Sequence, residues 1–193
     1  MSGYCLIVSG EISGDRLGEA VVQALNAAGW ATRGVGGPRM RSAGLQELVP
    51  FEDLGVNGVG DVLRRLPVLR EYLAVLRRSL VPGQCRALFC VDYPGFNMRL
   101  MQRARALQIP VFWVAPPQIW AWRPGRARWF RGVEVAVFFP FEEEAYRRAQ
   151  ALVSRVVHPL VATCCPVVEE AERKWGLVFP GSRPRQALRN VAW

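Results

Sequence analysis

The sequence predicts an α/β fold built on a parallel sheet, and three observations carry that prediction. Short apolar runs alternate along the chain with longer helix-periodic stretches. Several runs end in a turn that joins glycine or proline to polar residues, as in "SGEISGD", "VDYPGFN" and "FPGSR". The composition is that of a packed globular protein, 51% hydrophobic and 10% aromatic, with seven tryptophans to accommodate. No fixed-period repeat or low-complexity tract interrupts it. At 193 residues the chain is long enough for one domain, or for one domain and a piece of a second.

The first strand is expected at Tyr4–Val8 and the first helix near Gly14–Ala28. Between them Gly10, Gly14 and Gly18 fall at four-residue intervals. The last two therefore share a helix face and permit close approach to the sheet or to a ligand. The helix start also offers free N–H groups to an anion. The spacing matches neither the dinucleotide fingerprint nor a Walker loop. A purely structural reading is a tight turn with Ser13 or Asp15 capping the helix. Glu11, in the turn itself, faces the strand-end crevice in which ligands of such sheets sit, where it can bond to hydroxyls.

A weaker strand precedes Gly34–Gly37. From Val56 to Leu80, apolar residues including Val59, Val62, Leu63, Leu66 and Leu69 recur at three- and four-residue steps. Pro67 divides this stretch, so two amphipathic helices are expected. The first, rich in valine, leucine and arginine after the "LGVNGVG" loop, suits either a sheet-covering helix or contact with an anionic bilayer.

Strands are next expected at Ala87–Val91, Val111–Ala115, Val133–Phe139 and Arg155–Val157, with helices at Phe96–Leu107 and Phe141–Gln150. Asp92 directly follows a buried strand, where a carboxylate is placed to act as a general base on a hydroxyl or, more plainly, to bond its own loop. Asn97 opens the helix after it. The stretch "FWVAPPQIWAWRPGRARWFR" interleaves Trp113, Trp120, Trp122 and Trp129 with Arg123, Arg126, Arg128 and Arg131. It suits a nucleic-acid surface, a substrate wall with a basic rim, or a core edge with snorkelling arginines.

After His158–Leu160 the composition shifts to an acidic helix-like stretch, Pro166–Lys174, and then to a fresh strand and turn, "GLVFPGSR". We read residues 1–165 as one domain. Residues 166–193 read as a linker and the first strand and loop of a second that is cut short. Gly181, Ser182 and Arg183 in that loop are placed for a phosphate.

The five cysteines, Cys5, Cys85, Cys90, Cys164 and Cys165, form no C-x-x-C pair, and His158 is the single histidine. Reduced, packed thiols are expected, with no metal; a Cys–His nucleophile pair is the lesser alternative. The net charge of +9 suits an anionic partner. The first apolar run is too short for a signal peptide, and no run approaches the roughly 18 residues of a spanning helix, so a cytoplasmic protein is expected.

Taken in order, "SGEISGD", "GVGGPRM", "LGVNGVGDVL", "VDYPGFN", "QIWAWRPGR", "FFPFEEEAY", "HPL" and "FPGSR" resemble the lipid-A-disaccharide synthases, glycosyltransferases of the GT-B type. The resemblance spans essentially the whole chain to Arg183. It implies a Rossmann-like N-terminal domain on the acceptor side, followed by the start of a nucleotide-binding domain. It implies an inverting transfer of 2,3-diacylglucosamine from its UDP derivative to 2,3-diacylglucosamine 1-phosphate, releasing UDP, in lipid A synthesis of Gram-negative bacteria. UDP-sugar is then a substrate, and no cofactor or metal is required. By the family's motif Asp92 is the base, with Glu11 and Ser13 beside it. Asp15 and Asn97 line the acceptor side, and Gly181, Ser182 and Arg183 meet the diphosphate. Val56, Val59, Val62, Leu63 and Leu66 become a contact with anionic lipid on the cytosolic face of the inner membrane. Nucleic acid is not expected, and a homodimer is one arrangement open to the family. The motif around Asp92 often carries a second acid where this chain has Gly95. The alternative function is a non-catalytic lipid- or membrane-binding fragment of that enzyme.

Overall fold

Tyr4–Ser9 forms the first strand, β1, and all six residues are buried, as in a strand covered on both faces. The structure, a computed structural model, describes residues 3–54, 59–159, 161, 188 and 190, and for residues 59–64 the backbone alone. The chain divides into two units, Met1–His158 and Pro159–Trp193. In the first, β1 is joined by β2 (Ala31–Val35), β3 (Gln46–Glu47), β4 (Cys85–Val91), β5 (Val111–Val114), β6 (Glu134–Val137) and β7 (Leu152–Arg155). The order is β3-β2-β1-β4-β5-β6-β7 and every pairing is parallel, so the predicted parallel α/β sheet is what the chain forms.

Parallel strands need crossovers, and five helices supply most of them. They are α1 (Ile12–Ala27), α2 (Pro38–Ser42), α3 (Val59–Arg78), α4 (Pro94–Ala106) and α5 (Pro140–Arg148); a 3-10 segment, Pro124–Phe130, links β5 to β6. Side-chain alternation separates two cores. Leu6, Val8, Leu88, Cys90, Trp113 and Val135 join α4 through Leu100 and Met101 and α3 through Leu76. On the opposite face Ile7 and Val91 meet Val22 of α1 and Met40 of α2. There Gly18 lets α1 close on Met40, for a Cβ at Gly18 would stand 2.4 Å from the Met40 sulfur.

Three expectations shift. The stretch after Val59 is one helix with Pro67 inside it rather than two pieces. Pro67 is exposed, so the carbonyl one turn back that loses its rung can turn to water. The last strand is Leu152–Arg155 rather than Arg155–Val157, because its register against β6 begins at Glu134↔Leu152. The tryptophan-rich stretch is split: Trp113 lies in the core, Trp129 packs against it, and Trp120 and Trp122 are exposed. Cys5, Cys85 and Cys90 are buried free thiols, and burial pushes Cys85 up to about 11 and Cys90 higher still, so both stay protonated and inert. Cys164 and Cys165 lie outside the described residues.

Candidate active site

In a sheet of this order the chain runs outward in opposite directions from β1 and β4, so the loops after these two strands part and leave a crevice at their carboxyl ends. The two loops are those holding Glu11 and Asp92. They are packed together: the Tyr93 ring lies so close over Gly10 that a Cβ there would come within 2.4 Å of it. The Tyr93 hydroxyl donates to the Leu54 carbonyl at 3.1 Å.

Asp92 is half-buried, and both it and Tyr93 occupy the left-handed region, with φ of 47° and 48°. Two such residues in succession cost free energy and persist only where surrounding contacts hold them. The Asp92 N–H donates to the Val114 carbonyl at 3.0 Å. Its carbonyl accepts from Asn97 Nδ2 at 2.8 Å, and the same amide reaches the carbonyls of Val8 at 3.2 Å and Val91 at 3.5 Å. One side chain thus ties the carboxyl ends of β1 and β4 to the turn that carries Asp92.

Asn97, expected to line the substrate cleft, is fully buried with its NH2 group bonded to backbone carbonyls, among them that of Asp92. Its Oδ1 has no partner among the described residues; turning the amide over would set that oxygen against three carbonyls.

Asp15, also expected on the acceptor side, is likewise turned to backbone. Its carboxylate is buried and accepts from the backbone N–H groups of Arg39 and Met40, both at 3.0 Å. These are free donors in the first turn of α2, whose N-cap, Gly37, has no side chain to offer them. A Cβ at Gly37 would lie 2.5 Å from Asp15 Oδ2, so glycine is what admits the carboxylate. "GVGGPRM" is the receiving half of this tertiary cap, and neither Asp15 nor Ser13 caps α1. That position belongs to Glu11, whose side chain makes no capping bond.

Glu11 and Ser13 are both exposed. Burial pushes the Asp92 carboxyl above its ordinary value; the Glu11 charge adds to the rise, and a hydrogen bond from the Tyr93 backbone N–H opposes it. A carboxyl at the mouth of a crevice with raised proton affinity is suited to accept a proton from a hydroxyl near neutral pH. Gly95 has open space around its missing Cβ, so the acid common in the family motif would fit there. Tyr93, which shapes the turn and joins the two loops, was missed in the sequence; the aromatic between the acid and Pro94 was its only trace.

Gly181, Ser182, Arg183 and Val56 lie outside the described residues, as do the side chains of Val59, Val62 and Leu63. Leu66 is half-buried on α3.

Among known proteins, a family model described as lipid-A-disaccharide synthetase matches residues 5–192. The chain is 36% identical to a lipid-A-disaccharide synthase of Trichlorobacter lovleyi over 95% of this chain and 52% of that protein. It is 39% identical to one from Anaeromyxobacter sp. strain K (98% and 53%) and 33% identical to one from Coxiella burnetii (94% and 52%). The chain spans about half the length of the curated relatives it matches.

Proposed function

The chain belongs to the lipid-A-disaccharide synthetase family, and from that premise we propose that it supplies the acceptor side of an inverting glycosyl transfer. The donor is UDP-2,3-diacylglucosamine and the acceptor 2,3-diacylglucosamine 1-phosphate. The observation that carries the reading is the Asp92 carboxyl, held in a strained turn at the switch point with its proton affinity raised.

Asp92 accepts the proton of the acceptor 6-hydroxyl as that oxygen attacks the anomeric carbon of the donor. The new C–O bond forms as the bond to UDP breaks, and the electron pair leaves on the diphosphate, which Gly181, Ser182 and Arg183 neutralise and orient. Inversion follows from attack opposite the leaving group. Glu11 and Ser13 accept and donate hydrogen bonds to acceptor hydroxyls. Glu11 also keeps Asp92 a stronger base.

The test is release of UDP from both lipid substrates, measured for this chain alone and for the chain completed with the C-terminal half of a relative. Turnover by the completed protein supports the reading, and its absence in a folded preparation overturns it. If the chain alone binds acceptor without turnover, the fragment reading holds for the chain alone.

Among the described residues no helix is long and apolar enough to cross a membrane. A peripheral position on the cytoplasmic face of the inner membrane fits lipid substrates and the +9 charge. Val56, Val59, Val62, Leu63 and Leu66 are one proposed contact. Val62→Glu with Leu63→Glu is expected to weaken co-sedimentation with anionic vesicles several-fold; unchanged binding removes that contact.

A further inference from the structure

Asp92 and Tyr93 are left-handed in succession, and Tyr93, as the N-cap of α4, offers that helix no side-chain bond. Such a pair reverts to ordinary backbone angles unless neighbouring contacts over-determine it. Residue 97 holds both members. Its backbone N–H donates to the Tyr93 carbonyl at 3.1 Å, a bond that any residue but proline would make there. The side chain adds what only some residues can. Nδ2 donates to the Asp92 carbonyl at 2.8 Å and reaches the carbonyls of Val8 and Val91, in the last turns of β1 and β4, at 3.2 and 3.5 Å.

The residue type suits the demand. An uncharged NH2 group of this reach brings two donors to three carbonyl oxygens, where a serine would bring one, a leucine none, and an ionised aspartate a fourth acceptor. The whole amide is out of contact with water, Oδ1 included. We propose that Asn97 is a positioning residue for the transfer: its buried amide locks the Asp92–Tyr93 turn to the ends of β1 and β4 and thereby fixes where the Asp92 carboxyl stands in the crevice.

The properties of that carboxyl depend on where it stands. Burial raises its proton affinity, the Glu11 charge adds to the rise, and the Tyr93 N–H opposes it. The Tyr93 hydroxyl, raised by burial and then by Glu11, stays neutral beside them. Released from Asn97, the turn relaxes and the carboxyl moves toward water and away from Glu11. A function for Asn97 in the transfer rests on the reading of Asp92 as the base. The carboxyl can nevertheless be titrated with no substrate present, so either idea can fail without the other.

Two measurements on Asn97→Ala separate positioning from folding. The first is a carbon-13 NMR titration of the Asp92 carboxyl in the whole chain, its signal assigned by its loss in Asp92→Asn. The parent is expected to titrate above the ordinary 3.8, and the variant below the parent. The second is UDP release by the completed protein. There kcat is expected to fall about 10–100-fold, with acceptor KM changed less than about threefold and the acid limb of the pH–rate profile moved to lower pH. Leu100→Val, which loosens the same helix in the core, is expected to lower Tm while leaving the titration, the limb and kcat per folded molecule unchanged. Asn97→Asp covers the case in which the alanine variant does not fold. Of nearly the same size, it can donate one bond while protonated, so kcat is expected to fall as pH rises and the new carboxyl ionises against three carbonyls. An Asp92 titration and kcat both unchanged in folded Asn97→Ala overturn the proposal. So does a raised acceptor KM at undiminished kcat, which would make Asn97 a substrate contact, or an Asn97→Asp profile equal to the parent's. If the completed parent shows no turnover, the NMR titration decides alone.

Discussion

Asp92→Ala is expected to lower kcat for disaccharide formation by about 10²–10⁴ with a much smaller change in KM, because it removes the proton acceptor and leaves the acceptor-binding surface in place. The readout is steady-state UDP release by the completed protein, and near-normal kcat rejects Asp92 as the base. Glu11→Gln addresses the same group through its neighbour. Glu11 helps hold the Asp92 carboxyl above its ordinary value, so removing its charge is expected to move the acid limb of the pH–rate profile to lower pH.

Stability runs the other way. A carboxyl that binds its proton more tightly folded than unfolded stabilises the fold fully below its ordinary value of 3.8. That contribution is lost as pH rises through the higher folded value. At neutral pH the charged Asp92 is a burden on the fold. Asp92→Asn should therefore be inactive yet have a higher Tm than the parent at pH 7, with the difference closing in acid.

The second large effect is structural. Asp15→Ala is expected to cost about 3 kcal/mol, because two N–H groups of α2 lose a charged acceptor beneath a buried Met40. In a domain of this size that lowers Tm by about 6–12 °C. Glu19→Ala, which breaks only the exposed pair with Arg39, is expected to change stability by less than about 1 kcal/mol. Comparable Tm values for the two variants would show that the Asp15 cap contributes little.

These predictions divide along what could be read before the fold was known. The strands β1, β4 and β5 and the helices α1, α4 and α5 were legible to within a few residues, since each combines an apolar run or a helical period with a Gly or Pro turn. β3 has only two residues, and the 3-10 segment lies among arginines and tryptophans that carry no period. The placement of Asp92 and Glu11 at strand ends was legible because it is local: each follows a strand by one or two residues. The backbone partners of Asp15 and Asn97 were not legible because they are remote. Asp15 binds residues 24 and 25 positions away, and Asn97 reaches a carbonyl 89 positions away. A polar side chain in a loop-to-helix turn looks the same in sequence whether it turns to a ligand or to a distant backbone.

The central place of β1 has a consequence for how the chain is made. β1 is synthesised before both of its neighbours, and one of them, β4, pairs Cys85 with Tyr4, 81 positions later (85 less 4). At roughly 5–20 residues per second, about 4–16 seconds separate the two on a ribosome. During that interval β1 has at most β2 beside it, and a six-residue apolar edge destined for complete burial stands open. Such long-range parallel pairing is slow to form. The feature that builds the crevice in the finished molecule is thus the one that leaves the nascent chain most exposed to wrong partners.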